Sequence, residues 1–290
     1  MDLLKTGSCS VVLGSFYYNQ FYPIKKNKLL KITSIIDTHD EFKNLDSIRS
    51  IKNYKAYYCI PDEEVHILDP HNIFYKHVQL LVKDMDIFGG SLLCCYIDFA
   101  GTKDLLDTMD DLVSGDYSLW SSYKVILKLA KHILVGLSFL HKKQLCHLDI
   151  KPENIMVGHN TFQIIDFGLS SVEPFVDYIK NPKGTPGYFP KVIENTITKW
   201  LPKIEANDMI IINSLVPMNH NYMMVYRIDS YCFGRVLNGL RYFYNQEKTC
   251  SCLGSEKKER KILDRIINSL CEKDVYKRVS ATECLERYMS

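Results

Sequence analysis

The sequence predicts an α+β protein in which a small, strand-rich lobe precedes a larger, mainly helical one. Its 290 residues are 46% apolar, which is sufficient for a packed core. Apolar runs separated by polar breaks dominate the first third, whereas a long amphipathic helix opens the remainder. The composition changes near residues 99–104, and we interpret this stretch as a hinge between lobes that comprise residues 1–98 and 105–290.

Three segments of the first lobe have the composition of β-strands. They are rich in Val, Ile, Leu and aromatic residues and lie in SVVLGSF, KLLKITSI and SLLCCYIDFA. Between the second and the third segment, Phe42, Leu45, Ile48 and Ile51 recur at helical spacing behind a Thr or Asp cap. We therefore predict that this lobe is a sheet with one helix.

The second lobe is predicted to be helical, with an insertion. Residues 121–142 carry one apolar stripe, which is the pattern of a long helix packed on a core. The stripe consists of Ile126, Leu129, Ile133, Leu137 and Leu140. Residues 193–226 contain polar breaks and a short apolar run, and this pattern is typical of an inserted segment.

Charge and cysteine content exclude several classes of protein. The 36 Lys and Arg residues against 34 Asp and Glu leave a net charge of +2, so we expect neither nucleic acid nor an anionic membrane as a partner. No segment has the length of a membrane span, and the first residues lack the pattern of a secretory signal. The ten cysteines are scattered, which favours free thiols in a reducing, cytoplasmic compartment. Cys250 and Cys252 could form a metal pair, but no second pair completes a tetrahedral site.

The segment QLCHLDIKPENIMV, residues 144–157, concentrates polar side chains in a short space. Transfer of a phosphoryl group from a nucleotide needs a carboxylate that orients the attacking hydroxyl, a cation on the phosphates and oxygen ligands for Mg²⁺. Asp149 is the candidate base, and Lys151 is the candidate cation. Asn154 offers a carbonyl oxygen to the metal.

A second metal ligand is predicted in FQIIDFGLS, which follows the first motif closely. An apolar strand leads to Asp166, and Gly168 marks a turn directly after it. This arrangement places a hard oxygen ligand beside Asn154. The predicted magnesium ligands are therefore Asn154 and Asp166.

Together the two motifs resemble, in order and spacing, the catalytic loop and the metal-binding loop of the eukaryotic-type protein kinases. Downstream, GTPGYFP at residues 184–190 is similar to the substrate-docking segment of that family. IDSYCFG at residues 228–234 looks like the helix start whose Asp229 braces the catalytic loop, and Arg278 resembles the arginine near the C-terminal helices.

The resemblance implies the bilobal protein kinase fold, with a small antiparallel-sheet N-lobe containing one helix and a larger helical C-lobe. It implies ATP and Mg²⁺ in the cleft between the lobes, and protein molecules as substrates. Lys151, two residues after the base, is the family's mark of transfer to serine or threonine.

The resemblance also implies a set of nucleotide-binding residues. CYIDFAGTKDLLD resembles the hinge that holds adenine, with Ile97 as gatekeeper, backbone groups of residues 98–100 on the base and Asp104 on the ribose. LKTGSCSVVLG matches the glycine-rich loop G-x-G-x-x-G-x-V at only two positions, with Lys5 and Ser10 where glycines usually stand. The complete expected set is Gly7, Val12, Lys31, Glu41, Asp98, Ala100, Asp104 and Met156.

The family's strand lysine has two candidates, Lys31 and Lys25. Lys31 lies in an uninterrupted strand pattern, whereas Pro23 beside Lys25 argues against a central strand there. Its carboxylate partner is expected to be Glu41, 10 residues after Lys31 and 16 after Lys25. The first gap is short for the family and the second is ordinary, so both lysines stay open, with Lys31 preferred.

Two positions depart from the family pattern. Leu148 stands where most regulated kinases have an arginine that pairs with a phosphate on the activation segment. Lys191 replaces the glutamate that would pair with Arg278, so we expect either a compensating acid or different packing. The loss of this arginine and this glutamate, together with the sparse glycine loop, leaves two alternatives to an active protein kinase. One is a catalytically impaired pseudokinase that acts as a scaffold, and the other is a small-molecule kinase of the same fold.

A narrower likeness is compositional. The divergent loop, the compact helix region and a composition rich in Asn, Lys, Ile and Tyr resemble the kinases of large cytoplasmic DNA viruses. This likeness implies a viral protein located in the host cytoplasm or in the virion.

Overall fold

The computed structural model describes residues 4–6, 10–14, 18, 22–23, 25–81, 91–158, 161–172, 184–190, 218–247 and 256–289. Over these residues the predicted fold class is confirmed, because an antiparallel sheet forms the N-terminal part and helices dominate the C-terminal part. The strands are β1 (Leu4–Thr6), β2 (Ser10–Leu13), β3 (Lys28–Ser34), β4 (Pro61–Leu68), β5 (Leu92–Asp98), β6 (Lys103–Asp104), β7 (Ile155–Val157) and β8 (Phe162–Ile164). The helices are α1 (Ile35–Arg49), α2 (Ile73–Leu81), α3 (Leu105–Val113), α4 (Tyr123–Lys142), α5 (Met218–Glu247), α6 (Lys257–Leu270) and α7 (Ala281–Tyr288).

The N-terminal sheet has five strands in the order β1-β2-β3-β5-β4, and all neighbours are antiparallel. The three predicted strands β2, β3 and β5 are present, but β1, β4 and the helix α2 were not predicted. Strand β4, PDEEVHIL, starts with proline and carries three acidic residues. This composition is untypical of a central strand but is tolerated at the sheet edge, where β4 lies, so the strand was not predicted. The prediction of one helix in this part is wrong, because α2 joins α1 there.

The two faces of the sheet have different partners because side chains alternate along each strand. On one face, Leu30 and Ile32 of β3 share a buried cluster with Phe74 and Val78 of α2. Lys31 lies between Leu30 and Ile32 in sequence and therefore belongs to the opposite face. Its neighbours across the sheet are Val12 on β2 and Cys95 on β5.

Helix α1 connects the sheet to the main core. Its predicted apolar positions Leu45 and Ile48 are fully buried, in the same cluster as the residues of the C-terminal helices. The helix begins at Ile35, directly after β3, so the expected Thr or Asp cap lies inside it. The cap prediction was wrong because the strand runs into the helix without a connecting turn.

Helix α4 is the centre of the C-terminal part, and the predicted apolar stripe is confirmed. All five stripe positions are at most 1% exposed, and they pack in one cluster with residues of α5, α6 and α7. Within the described part of the chain, no helix combines the length and apolar character needed to cross a membrane.

Helix α5 differs from the prediction at its start. It begins at Met218, so Asp229 lies well inside the helix and not at its first turn. Residues 218–228 contain neither Gly nor Pro, whereas Pro217 precedes the helix, so only that position offers a natural boundary. Most of the predicted insertion at residues 193–226 lies outside the described residues, and its end belongs to this helix.

Candidate active site

The buried side chain of Asp229 anchors the predicted catalytic loop. The Asp229 carboxylate is fully buried and accepts the backbone N–H groups of His147 and Leu148, each at 2.8 Å. His141 Nε2 lies 3.0 Å from the same carboxylate. A buried carboxylate is tolerated only when its oxygens are paired, and here the pairing is with the loop backbone. The predicted bracing contact of Asp229 is therefore present.

Leu148 has a backbone conformation that few leucines adopt. Its φ is 65°, in the left-handed region, and its side chain is 1% exposed within the main core. The Asp229 bonds to two consecutive N–H groups hold this turn in place. As a result, Leu148 points into the core while the next residue, Asp149, joins the polar site.

The segment GTPGYFP, which resembles the substrate-docking segment, approaches the loop at Gly184. Its φ is 126°, and a Cβ at this position would stand 2.7 Å from the carbonyl oxygen of Leu148. A side chain is excluded there by both conformation and contact. The close approach brings the following residue, Thr185, to the candidate base.

Asp149, Lys151 and Thr185 form a closed hydrogen-bonded triangle. Thr185 Oγ1 donates to Asp149 Oδ1 at 2.6 Å, and Lys151 Nζ donates to Thr185 Oγ1 at 2.9 Å. Lys151 Nζ also lies 2.9 Å from Asp149 Oδ2. Burial alone raises the pKa of Asp149, but the bonds from Thr185 and Lys151 and the charge of Lys151 outweigh it, so its pKa is lowered. The carboxylate is consequently ionised at neutral pH and its orientation is fixed.

Asn154 is oriented by the same carboxylate. Its Nδ2 donates to the backbone oxygen of Asp149 at 2.9 Å and to Asp149 Oδ2 at 3.0 Å, and the side chain is 5% exposed. Because the donor atom of the amide is used in this way, Oδ1 is the atom that can bind a cation.

The hairpin of β7 and β8 brings the two predicted metal ligands to the same end. Ile155 pairs with Ile164, and the N–H of Ile165 donates to the carbonyl of Asn154 at 3.0 Å. Asp166 follows directly, with φ 62° and an exposed side chain. Asn154 and Asp166 therefore flank one end of the hairpin, and their role as metal ligands stays a prediction.

The donor set at this end fits magnesium. In the described part of the chain, no group of three or more His, Cys, Asp or Glu residues could hold a metal ion by itself. Mg²⁺ is commonly bound by one or two carboxylates together with water and the phosphates of a substrate. One exposed carboxylate and one amide oxygen match that requirement, whereas they would be a poor site for zinc.

The structure separates the two lysine candidates. Lys31 lies at the centre of the sheet and is 8% exposed. Lys25 precedes β3, bonds Glu64 at 2.6 Å and lies 4.1 Å from the centre of the Tyr96 ring. Lys25 thus belongs to the sheet edge near β4, and only Lys31 shares a strand face with Val12.

Replacing Lys31 by methionine is therefore expected to cut turnover strongly, because the cation that the resemblance places on the nucleotide phosphates would be lost. Lys25→Met should be nearly silent, since an exposed ion pair contributes little. Steady-state kinetics of the two purified variants makes the comparison, and a strong loss from Lys25→Met with an active Lys31→Met would transfer the role to Lys25.

The hinge segment has an internal support that the sequence did not reveal. The Asp98 carboxylate lies 2.8 Å from the Nζ atoms of both Lys28 and Lys55. Its carbonyl oxygen accepts the thiol of Cys59 at 3.2 Å. A carbonyl oxygen has two lone pairs, so the thiol contact does not by itself prevent the adenine contact expected of the backbone at residues 98–100. The Asp98 side chain is committed to the lysines.

Asp104 has a structural role that was not predicted. It is the N-cap of α3: its Oδ1 accepts the N–H of Asp107 at 2.8 Å, and its own N–H donates to Asp107 Oδ2 at 3.0 Å. The residue is only 3% exposed. The capping box uses Oδ1 of this carboxylate, and the ribose contact that the resemblance implies for Asp104 stays a prediction. Met156 is its partner across β6 and β7 and is 7% exposed.

Several expected residues lie outside the described part of the chain. Gly7 and Lys191 are among them, as are Cys250 and Cys252. Glu41 lies in α1, but the structure does not describe its side chain.

Arg278 is satisfied without a carboxylate among the described residues. Its Nε donates to the carbonyl of Glu272 at 2.8 Å, and Nη1 donates to the carbonyl of Arg227 at 3.2 Å. The guanidinium also lies 4.6 Å from the centre of the Tyr231 ring. Among the described residues, carbonyl dipoles and an aromatic face are thus the partners of the guanidinium, and the compensating acid that was one of the two expectations is not among them.

Comparison with known proteins shows which proteins this chain is similar to. Residues 92–289 match the family described as protein kinase domain. The serine/threonine-protein kinase ppk34 of Schizosaccharomyces pombe is 28% identical over 161 residues, 53% of this chain and 42% of that protein. The Aurora kinase of Saccharomyces cerevisiae is 36% identical over 108 residues, 35% of this chain and 26% of that protein.

A mammalian relative gives a longer match. Myosin light chain kinase 2, skeletal/cardiac muscle, of Homo sapiens is 27% identical over 188 residues, 62% of this chain and 28% of that protein. The chain therefore spans less than half the length of each of these relatives.

Proposed function

Because this chain belongs to the protein kinase domain family, we propose that it transfers the γ-phosphate of ATP to serine or threonine hydroxyls of protein substrates. The observation that carries the proposal is the triangle of Asp149, Lys151 and Thr185. This triangle holds an ionised carboxylate beside a cation, and Thr185 connects both groups to residues 184–190, which resemble the family's docking segment. The serine/threonine kinases among the relatives support the same class of acceptor.

The residues of the site divide the chemistry among themselves. Asp149 orients the acceptor hydroxyl and takes its proton, and Lys151 neutralises charge on the transferred group. Asn154 Oδ1 and the Asp166 carboxylate would hold Mg²⁺, which neutralises charge on the nucleotide phosphates. Lys31, on the same sheet face as Val12, would place the phosphates.

An assay with radiolabelled ATP tests the proposal against both alternatives. Wild type and Asp166→Ala are incubated with Mg²⁺, a panel of proteins and a panel of small alcohols. We expect label on serine or threonine of proteins with the wild type only. Transfer to a small alcohol alone would indicate a small-molecule kinase, and no transfer to any acceptor would indicate a pseudokinase scaffold.

Leu148 predicts that activity does not depend on phosphorylation of the activation segment, residues 166–190. An arginine at this position would need a phosphate partner, whereas Leu148 is buried in the core and requires none. Thr185 already bonds Asp149 and Lys151, so it serves as a structural brace and not as a switch. We therefore propose that the unphosphorylated enzyme is active.

Phosphatase treatment tests this prediction. The bare state is confirmed by mass spectrometry, and turnover before and after treatment should agree within about a factor of two, since no switch cation needs neutralising. A large loss that rephosphorylation at Ser170, Ser171, Tyr178 or Thr185 restores would show that another cation has taken over the role of the missing arginine.

The viral assignment rests on composition. The relatives compared above come from yeasts and a mammal, so a viral origin and a site of action in host cytoplasm or virion are proposals from composition alone. Protein substrates are the proposed partners, with no role for nucleic acid or membrane, since the net charge is only +2.

A further inference from the structure

A buried amide joins helix α1 to the segment that follows the metal-binding loop. Asn44 Nδ2 donates to the carbonyl of Ser170 at 3.0 Å and lies 3.4 Å from Ser170 Oγ. Asn44 is 8% exposed and Ser170 is 3% exposed. The two residues are 126 positions apart, so this bond is a tertiary link that local sequence does not predict.

Ser170 is in turn hydrogen-bonded to Phe167. Both the N–H and the hydroxyl of Ser170 donate to the carbonyl of Phe167, at 3.0 Å and 2.6 Å. The Phe167 ring is fully buried, and its centre lies 4.9 Å from that of His147 in the catalytic loop. The turn after Asp166 is thus held at two points, by the catalytic loop through Phe167 and by α1 through Ser170.

Asp166 needs such support because of its backbone. Its φ of 62° is in the left-handed region, which is unfavourable for a residue with a side chain unless the surroundings hold it. The carboxylate itself is exposed, and the N–H of Gly168 reaches its Oδ1 only by a long bond of 3.4 Å. The position of this carboxylate therefore depends on what anchors the neighbouring residues.

We propose that Asn44 is a positioning residue that holds Asp166 in its metal-binding orientation. The bond forms only when α1 and the loop are both in the arrangement seen here, because a buried amide has no water to replace its partner. Asn44 thereby couples the helix that contains Glu41 to the metal-binding loop. The proposal rests on the proposed function, since Asp166 matters only if magnesium is used.

The test compares the magnesium requirement of Asn44→Leu with that of the wild type. Half-saturating Mg²⁺ for phosphoryl transfer should rise roughly fivefold to tenfold, the effect of losing one buried hydrogen bond. ADP affinity measured by calorimetry in EDTA should be unchanged, whereas the gain in affinity on adding Mg²⁺ should shrink. Hydrogen exchange of the amides in residues 166–171 should be faster in the variant without any nucleotide.

Matched variants separate positioning from a general loss of stability. Lys43→Leu changes an exposed neighbour on the same helix and should leave the magnesium requirement unchanged. Ser170→Ala keeps the carbonyl that accepts the bond and should give a smaller shift. Asn44→Gln retains a donor and should recover part of the wild-type behaviour. If Asn44→Leu does not fold, Asn44→Ala replaces it with the same expected shift.

A wild-type magnesium requirement and wild-type exchange in Asn44→Leu or Asn44→Ala would overturn the proposal. A wild type that transfers no phosphate would instead defeat the proposed function. The exchange of residues 166–171 needs no activity, so unchanged exchange would still count against Asn44 in that case.

Discussion

Replacing Asp166 with asparagine is expected to reduce magnesium-dependent transfer by several orders of magnitude while leaving the fold intact. The change removes one negative charge with almost no change in volume. The Asp166 side chain is exposed and Phe167, not Asp166, fills the core beside it, so no packing is lost. Turnover at saturating Mg²⁺ and the thermal midpoint should be measured on the same preparation.

The matched control for this experiment is Asp110→Asn. Asp110 is an exposed residue of α3, and the same loss of charge there should leave turnover unchanged. Retention of most activity by pure Asp166→Asn would show that Asp166 is not a metal ligand. Equal losses in both variants would point to a nonspecific effect of net charge.

Replacing Asp149 with asparagine should lower turnover by roughly a hundredfold or more, the scale of a lost general base. The amide cannot accept a proton from the substrate hydroxyl and can no longer form an ion pair with Lys151. Nucleotide affinity should change little, because the carboxylate acts on the acceptor side. Calorimetric titration with ADP and Mg²⁺, run beside steady-state kinetics, separates these two effects.

The structure adds a reason to expect that the Asp149 variant folds. The substitution removes the favourable contacts with Thr185 and Lys151 that lower the pKa of Asp149. The fold should tolerate this loss, because Lys151 is partly exposed and can extend into solvent. A thermal midpoint near that of the wild type together with turnover within a few fold of it would exclude Asp149 as the base. A large drop in nucleotide affinity would instead assign Asp149 to the nucleotide.

The polar residues of the candidate site were predictable because they lie in two short, continuous motifs. Asp149, Lys151 and Asn154 fall in one loop, and the apolar strand before Asp166 determines the position of this second candidate metal ligand. In such segments the spacing of polar and apolar residues sets the geometry by itself. The long helix α4 was equally readable, because its apolar stripe is regular over its whole length.

The supports of the site were not predictable, because they join residues that are far apart in sequence. Nothing in the neighbourhood of Cys59 or Asn44 signals a bond to Asp98 or Ser170. The edge strand β4 was missed because its charged residues hide the alternation of a strand. The capping box at Asp104 was likewise not predicted, although both of its residues stand at the start of α3.

The sequence by itself determined the fold class, the identity of the polar groups at the catalytic loop and the absence of an arginine beside the base, since each of these depends on local pattern and residue type. Only the tertiary structure decided that Lys31 lies at the centre of the sheet while Lys25 is drawn to Glu64, and that Arg278 is satisfied by carbonyl groups and an aromatic ring. These outcomes depend on which strands pair and which helix ends meet, and such long-range contacts are selected by packing of the whole chain and not by any one segment.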